Sequence, residues 1–284
     1  NCSRNGGLRP HSSLRRCGGW RARLLTHYSP LGCGTTLPPG TTFACGPLGT
    51  QASKPVVPTT KAVPAVATDR ESVLAGAGSR YTYSANTLAM PEALDRGLSS
   101  LALVGMSCQT SIGPVMWHRK VGKAGKPIKL NIGLLCSKSF DDAIFEELFW
   151  TKYRLRKEDM VKMNIKGVFQ IWMRNGDYHE INLKECHAWT REGCNHCPDF
   201  AAEHADISTG GIGENNDWTL TIVRTELGRQ VIMGMLADGV IEGRPGDSDP
   251  GAIALMHKLA AKSRERWPDW ANPTARVGLP VRAG

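Results

Sequence analysis

The segments LALVGM (Leu101–Met106) and KLNIGLL (Lys129–Leu135) decide the fold that we predict for this chain. Both are short, mainly apolar runs with the length and composition of strands buried inside a sheet. Each is followed closely by a cysteine, Cys108 after the first run and Cys136 after the second. These two cysteines therefore stand where two buried strands leave the core.

The region around these strands alternates helical and strand patterns. Asn175-Gly176 separates strand patterns at 168–172 and 178–183, which is a strong hairpin signal because Asn-Gly supplies the positive φ angles of a tight turn. A further strand is predicted at 218–225, and helices are predicted at 69–76, 90–97, 139–155, 232–239 and 252–266. This alternation predicts an α/β or α+β fold with a mixed β-sheet and flanking helices.

The net charge of +9 on the 284 residues is concentrated at one end of the chain. The first carboxylate is Asp69, and residues 1–68 hold eight Lys and Arg, so residues 69–284 carry 27 cations against 26 anions. A nucleic-acid-binding domain normally shows a clustered basic surface. We therefore expect no nucleic-acid partner for the organised part of the chain.

Residues 1–62 are predicted to be an irregular basic segment. They show neither helical nor strand periodicity, and their four cysteines, Cys2, Cys17, Cys33 and Cys45, include no CxxC pair. Three interpretations stay open: a disordered basic tail, a cysteine-rich metal module, or a stretch read out of frame in a GC-rich gene. An intact reading frame whose product is shared by relatives would refute the third.

No apolar run approaches the ~18 to 20 residues that a membrane-spanning helix needs. The amino terminus also lacks the apolar core of a secretory signal. We therefore expect no membrane span and a cytoplasmic location, where thiols stay reduced. In that setting the five cysteines of the organised region are expected to serve metal binding or redox chemistry rather than disulfides.

Cys194 and Cys197 form a CxxC pair, a spacing at which two thiolates of one turn can reach the same metal centre. With Cys108 and Cys136 they make a set of four thiols. Spacing alone leaves open an iron–sulfur cluster, no metal, or a zinc site drawn from Cys186, His187, Cys194, His196 and Cys197. A glycine-rich loop then leads into a strand and could offer backbone N–H groups to a phosphate or a flavin edge.

Five motifs follow one another in a fixed order: G-M-S-C-Q (Gly105–Gln109), N-I-G-L-L-C (Asn131–Cys136), C-x-x-C-x-D-F (Cys194–Phe200), A-D-I-S-x-G (Ala205–Gly210) and I-V-R-T-E-x-G (Ile222–Gly228). In this order they resemble the coenzyme F420 hydrogenase/dehydrogenase beta-subunit family. The resemblance covers about residues 63–245, and the order of the motifs is specific although no single motif is.

The resemblance implies an oxidoreductase that is an iron–sulfur flavoprotein. A [4Fe–4S] cluster would be held by loops through Cys108, Cys136, Cys194 and Cys197, while Cys186 matches no ligand position and is expected to be structural. The other implied cofactors are FAD and coenzyme F420, the latter as substrate. The expected flavin-binding residues are Ser79, Arg80 and Tyr81, in a turn similar to the family's G-S-[KR]-Y, and Asp206, Ser208 and Gly210.

No side chain is expected to be catalytic, because the cofactors carry the chemistry in such a protein. One departure from the family concerns its amino-terminal part, where a Gly-Gly segment and a helix help to complete the flavin pocket. Only Asn5–Leu8 resembles that part here. If residues 1–62 are not a native reading, the FAD site is incomplete while all four cluster cysteines remain.

The leading functional hypothesis is electron transfer between reduced coenzyme F420 and a one-electron acceptor through FAD and a [4Fe–4S] cluster. The expected partner is an electron-transfer protein or a ferredoxin, and formation of a homo-oligomer is left open. One alternative is a ferredoxin-dependent FAD/[4Fe–4S] reductase of an organic substrate. Another is a zinc-stabilised interaction module without catalysis, docking through the basic residues Lys258, Lys262, Arg264 and Arg266. The predicted divisions are 1–62, a family-like domain at 63–245, and a basic helix and tail at 246–284.

Overall fold

The computed structural model describes residues 62–76, 79–212 and 218–267, together with the backbone of two strands closer to the amino terminus. Its strands form two sheets. The larger has seven strands in the order β10-β1-β9-β8-β4-β3-β2, and the smaller is β5-β6-β7. The strands are β1 (Ala22–His27), β2 (Thr42–Ala44), β3 (Leu101–Met106), β4 (Ile128–Leu134), β5 (Met160–Lys166), β6 (Val168–Met173), β7 (Tyr178–Asn182), β8 (Ile207–Gly210), β9 (Thr219–Val223) and β10 (Ile241–Pro245).

The large sheet is mixed, as the sequence predicts. All of its neighbouring pairs are parallel except β8 and β9, which are antiparallel. The small sheet is antiparallel and contains the predicted Asn175-Gly176 hairpin between β6 and β7. The fold class, a mixed β-sheet with flanking helices, is confirmed.

Ten α-helical segments accompany the sheets in the described residues. They are α1 (Arg70–Ala75), α2 (Ala89–Asp95), α3 (Ser107–Thr110), α4 (Ile112–His118), α5 (Gly122–Gly125), α6 (Thr151–Tyr153), α7 (Leu183–Cys186), α8 (Glu192–Asn195), α9 (Glu226–Ala237) and α10 (Pro250–Arg264). No helix in these described stretches combines the length and apolarity that crossing a bilayer requires.

Several elements differ from the sequence prediction, among them strands β5, β8 and β10, which are not predicted. The helix predicted at 139–155 is shorter, with a π-helical turn at Phe145–Trp150 leading into α6. It starts late because Phe140 instead forms β-bridges to Thr82 and Thr190. Strands β1 and β2 lie within residues 1–62, where the sequence predicts no regular element, and the interpretations of the remainder of that segment fall outside the described residues.

Separate apolar clusters hold the two sheets. The small sheet packs on Phe140, Phe145 and Phe149, and Phe169 of β6 meets Phe149 with ring centroids 5.1 Å apart. In the large sheet, one apolar cluster joins the strands to α9. A second cluster joins them to α10 through Ala252 and Met256. The chain between β4 and β8 forms the small sheet and then returns to the large one, which positions the CxxC segment beside β4.

Candidate functional site

Cys108 and Cys136 lie at the same edge of the large sheet. β3 and β4 are parallel neighbours, and Met106 at the end of β3 is in register with Leu134 at the end of β4. Cys108 follows β3 in the first turn of α3, and Cys136 follows β4 by two residues. The carboxyl ends of parallel strands in such a sheet are where binding sites form.

The glutamine of the G-M-S-C-Q motif shapes the turn that carries Cys108. Gln109 accepts a hydrogen bond from the Met106 N–H at 2.9 Å and donates one to the Ser84 carbonyl. A Cβ on Gly105 would lie 2.7 Å from Gln109 Oε1, so only glycine leaves room for this folded-back side chain. The motif therefore fixes the start of α3 and with it the position of Cys108.

The CxxC pair lies on α8 and the turn that follows it. The Cys194 thiol sulfur accepts a hydrogen bond from the Ser139 N–H at 3.4 Å, so this turn contacts the loop that follows Cys136. The Arg191 N–H also donates to the Ser139 carbonyl at 3.1 Å. Ser139, the first residue of the helix predicted at 139–155, is therefore part of the connection between two cysteine-bearing segments.

The pKa values of Cys108, Cys136 and Cys197 are raised by burial and, in part, by the neighbouring thiols. Burial raises the pKa of Cys136 to about 12, and the Cys108, Cys194 and Cys197 thiols act in the same direction. Burial also raises the pKa of Cys108 to about 11, with contributions from Cys197 and Cys194, although that residue as a whole is exposed. The cysteines thus share one neighbourhood, but no group of three His, Cys, Asp or Glu in the described ranges converges as on a single metal ion.

Cys186 stands apart from this set. It is fully buried in the core of the small sheet, where its thiol donates to the Asn182 carbonyl at 3.9 Å. Burial, followed by the nearby Glu185 carboxylate, raises its pKa to about 11, and no other cysteine contributes. The fold therefore does not bring Cys186 together with the CxxC segment, as the zinc-site alternative requires.

Arg266, just beyond α10, joins the two cysteine-bearing loops. Its Nη1 donates to the Ser137 carbonyl at 2.6 Å and to the Cys194 carbonyl at 3.3 Å. Its positive charge also acts to lower the pKa values of Cys136 and Cys197. The sequence presents this residue only as part of a basic tail, because the contact depends on α10 packing against the sheet.

Tyr81, one of the expected flavin residues, packs into the small sheet. It adopts a positive φ of 53°, its hydroxyl donates to Asn164 Oδ1 at 3.3 Å, and the same hydroxyl accepts from the Ile165 N–H at 3.0 Å. Burial raises its pKa, and the Cys136 thiol contributes in the same direction, so the Tyr81 ring lies near the cysteine set. Ser79 is exposed, and Arg80 is half-buried.

Asp206, Ser208 and Gly210 support the sheet in this structure. The Asp206 carboxylate accepts from the Asn131 N–H at 2.8 Å and from the Thr225 hydroxyl at 2.7 Å. Ser208 donates to the Ala202 carbonyl at 2.9 Å and accepts from Arg224 Nε at 3.1 Å. A Cβ on Gly210 would lie 2.7 Å from the side chain of Leu135. The polar atoms of Asp206 and Ser208 have protein partners, and the assignment of all three residues to the flavin stays a prediction.

Three of the buried side-chain oxygens that lack hydrogen-bond partners in the described residues lie near the start of α3. Ser84 Oγ, Asn86 Oδ1 and Ser107 Oγ are all buried and have no hydrogen-bond partner. The three residues are close together, because Gln109 of α3 contacts the Ser84 carbonyl and Asn86 Nδ2 donates to the Val104 carbonyl of β3 at 3.0 Å. Buried polar groups without partners are uncommon, so these atoms are candidates for ligand contacts. No sequence periodicity distinguishes them from ordinary serines and asparagines.

Residues 98–249 match the family model for the C terminus of the coenzyme F420 hydrogenase/dehydrogenase beta subunit. The chain is 31% identical over 230 residues to coenzyme F420 hydrogenase subunit beta of Methanothermobacter thermautotrophicus, covering 78% of this chain and 80% of the relative. It is 30% identical over 222 residues to the subunit of the same name in Methanococcus voltae, covering 78% and 79% of the two chains.

A relative of different length is the coenzyme F420-dependent sulfite reductase of Methanocaldococcus jannaschii. It is 34% identical over 185 residues, which is 60% of this chain and 29% of that protein. Among solved structures, a chain of the F420-reducing [NiFe] hydrogenase complex from Methanosarcina barkeri superposes with a TM-score of 0.70 at 25% identity, covering 79% of this chain and 76% of that chain.

Proposed function

Because this chain belongs to the coenzyme F420 hydrogenase/dehydrogenase beta-subunit family, we propose that it is a flavin- and iron–sulfur-dependent oxidoreductase exchanging electrons between coenzyme F420 and a one-electron acceptor. The family is one of oxidoreductases, and F420-linked redox chemistry follows from membership. The proposal adds the internal cofactors, FAD and a [4Fe–4S] cluster, and the residues that would hold them.

The observation that carries the proposal is the grouping of Cys108, Cys136, Cys194 and Cys197. They come from three chain segments that the fold brings to one edge of the large sheet. A four-iron cube holds its thiolates farther apart than one metal ion does, so thiols that do not converge on a single ion remain compatible with a cluster. Four thiols are also the ligand set that such a cluster takes.

The chemistry of these thiols fits a metal centre better than a nucleophile. A reactive cysteine has a lowered pKa, whereas burial raises the pKa of Cys136 to about 12 and that of Cys108 to about 11. Such thiols stay protonated near neutral pH unless a bound cation stabilises the thiolates. Ser139 N–H, at 3.4 Å from the Cys194 sulfur, and Arg266 would offset part of their negative charge.

The segment from Ser79 to Asn86 is our candidate for the flavin contact. It passes the cysteine set at Tyr81, and it ends at Ser84 and Asn86, whose buried oxygens lack partners beside Ser107. A flavin ring edge or a phosphate could satisfy these groups. Bound there, the flavin would supply hydride exchange and the cluster one-electron transfer. The residues of the protein would hold the flavin and the cluster side by side and shield both from solvent.

The cluster assignment is tested by comparing Cys197→Ser with Cys186→Ala in protein purified without oxygen. Cys197→Ser should lose most of the bound iron and sulfide, because it removes one of four ligands. Cys186→Ala is the matched control and should retain both, since Cys186 lies in a separate core. Equal iron content in the two variants would refute the assignment, and stoichiometric zinc without iron or flavin would favour the interaction-module alternative.

The flavin assignment is tested by comparing Ser107→Ala with Ser208→Ala. Ser107→Ala removes a buried hydroxyl without a partner, so the cofactor-free protein should be at least as stable while FAD binding weakens. Ser208→Ala removes two hydrogen bonds and should lower stability by about 1–3 kcal/mol. FAD titration followed by fluorescence, and thermal unfolding, give both readouts. Unchanged FAD affinity in Ser107→Ala would contradict the proposed contact.

The choice of donor is tested with the assembled protein. Reduced coenzyme F420, added without oxygen, should bleach the flavin absorption. Bleaching by reduced ferredoxin with no response to reduced F420 would instead favour the ferredoxin-dependent reductase.

A further inference from the structure

Lys138 lies in a short loop that is held on both sides next to the cysteine set. Arg266 donates to the carbonyl of Ser137 on one side. On the other side Arg191 N–H donates to the Ser139 carbonyl at 3.1 Å, and Asp141 N–H donates to the Trp189 carbonyl at 2.8 Å. Lys138 therefore has a fixed position two residues after Cys136.

Arg266, Lys262 and His187 lie close to this lysine, and Lys184 lies close to His187. Lys262 lies one helical turn before Arg266, and Lys184 lies about one turn before His187. After burial, the charges of Arg266 and Lys262 lower the pKa of Lys138, and the charges of Lys138, Lys262 and Lys184 lower the pKa of His187. We call Lys138, Lys184, Lys262 and Arg266, with His187 among them, the cation rim.

The cation rim is not neutralised by the part of the chain that the structure describes. Among these residues no carboxylate forms an ion pair with Lys138, Lys184 or Lys262, and Arg266 contacts carbonyl oxygens. Two of the nearby acids are already paired, Glu185 with Lys152 and Glu203 with Arg264. Glu265, at the end of α10, makes no ion pair with the rim in the described residues. Since residues 69–284 together carry a net charge of only +1, this concentration of positive charge is local.

Like charges held together in this way favour an anionic partner, because electrostatic complementarity across an interface raises the association rate and excludes wrong partners. We propose that the cation rim docks the acidic face of a small redox protein over the cysteine set. This inference rests on the proposed function, since the rim adjoins the segment that would carry electrons out of the protein. It also gives a role to Lys262 and Arg266 of the predicted basic tail.

The test measures binding of an acidic ferredoxin, as the probe, to the full cofactor-loaded chain at low and moderate salt. The double variant Lys138→Gln/Lys262→Gln should weaken binding about tenfold at low salt, as expected from the loss of two interfacial charge pairs. Its affinity should also depend less steeply on salt. The matched control, Lys123→Gln/Lys126→Gln, removes the same charge near α5, at the opposite end of β4, and should leave affinity unchanged.

The proposal would be overturned by equal weakening in both double variants, by affinity independent of salt, or by duplex DNA binding through the rim more tightly than the ferredoxin. Basic cytochrome c should not bind, and binding through the rim would also refute it. Iron and flavin measured in the same samples separate the two hypotheses. If the protein lacks iron and flavin but binds ferredoxin through the rim, only the proposed function is refuted. If the protein contains both cofactors and is reduced by F420, but its ferredoxin affinity does not change with the rim substitutions, only the docking surface is refuted.

Discussion

Two glycines of helix α9 should respond in opposite ways to the same substitution. Gly228, the last residue of the I-V-R-T-E-x-G motif, is buried in the first turn of α9. A Cβ at this position would lie 2.4 Å from the Asp206 carbonyl oxygen, which is backbone and cannot rotate away. Gly234, two turns later in the same helix, has no heavy atom within 4 Å of its Cβ position.

The expected magnitudes follow from these distances. Ordinary contacts begin at 3.4 Å, so Gly228→Ala must displace α9 or β8 by about 1 Å, and overpacking of this kind costs about 1–3 kcal/mol. Gly234→Ala meets no obstruction and gains helix propensity, so it should raise stability by about 0.5–1 kcal/mol. The two variants should therefore differ by about 1.5–4 kcal/mol in the free energy of unfolding.

Urea unfolding of the two variants and the parent protein measures this difference directly. The slope with denaturant should stay constant, since neither substitution changes the surface exposed on unfolding. A displacement of α9 should also weaken its N-cap, in which the Thr225 hydroxyl accepts a hydrogen bond from the Gly228 N–H. Gly228→Ala with parental stability would refute the close packing of α9 against β8.

Two further predictions concern the cap and the cysteines. Thr225→Val removes the N-cap hydrogen bond from the Gly228 N–H, at 3.1 Å, and also a partner of the buried Asp206 carboxylate, so the free energy of unfolding should fall by about 1–3 kcal/mol. Thr225→Ser keeps the hydroxyl and should recover most of that free energy. Equal losses of stability in the two variants would contradict the capping role of Thr225. In metal-free protein, the pKa values of Cys108 and Cys136 are raised from 9.0 to about 11 and about 12. As the pH rises above 9, these thiols therefore lose their protons in the unfolded chain before they do so in the folded protein. Ionisation then favours the unfolded chain, so the melting temperature should fall as the pH rises from 9 towards 12. Cys136→Ala should flatten that decline in melting temperature, and an unchanged pH dependence would contradict the burial of this thiol.

The sequence predicts the fold where the pattern is local. β3 coincides with the apolar run Leu101–Met106, and the hairpin turns at Asn175-Gly176 as predicted. The helix predicted from Ser139 onwards fails locally because Phe140 bridges two distant segments. Local periodicity contains no information about such long-range pairing, and for the same reason it did not predict the contact of Arg266 with Ser137 and Cys194.

The candidate site shows the same division between local and long-range information. A CxxC and two cysteines after strands can be read from spacing, but only the parallel pairing of β3 with β4 places Cys108 beside Cys136. The partnerless oxygens of Ser84, Asn86 and Ser107 depend on burial and on the absence of neighbours. These are properties of the packed molecule, so no pattern of residue types could identify them.

The motif residues other than cysteine mostly contact one another. Gln109 folds over Gly105, and Asp206 connects the Asn131 backbone with Thr225 at the start of α9. These contacts make a scaffold that presents the cysteine-bearing loops in a fixed arrangement. The motifs therefore specify how the cysteines are held and contain little information about the partner that accepts the electrons.

Partner choice should reside outside that scaffold. Of the cation rim, Lys262 and Arg266 lie beyond residues 98–249, the region that matches the family model, whereas Lys138, Lys184 and His187 lie on surface loops and short helices inside it. Relatives named as F420 hydrogenase subunits and as an F420-dependent sulfite reductase align with 60% or more of this chain although their names indicate different reactions. We expect partner choice in such proteins to depend on surface charges of this kind, because changing surface charges alters association without disturbing the packed residues that hold the cysteines.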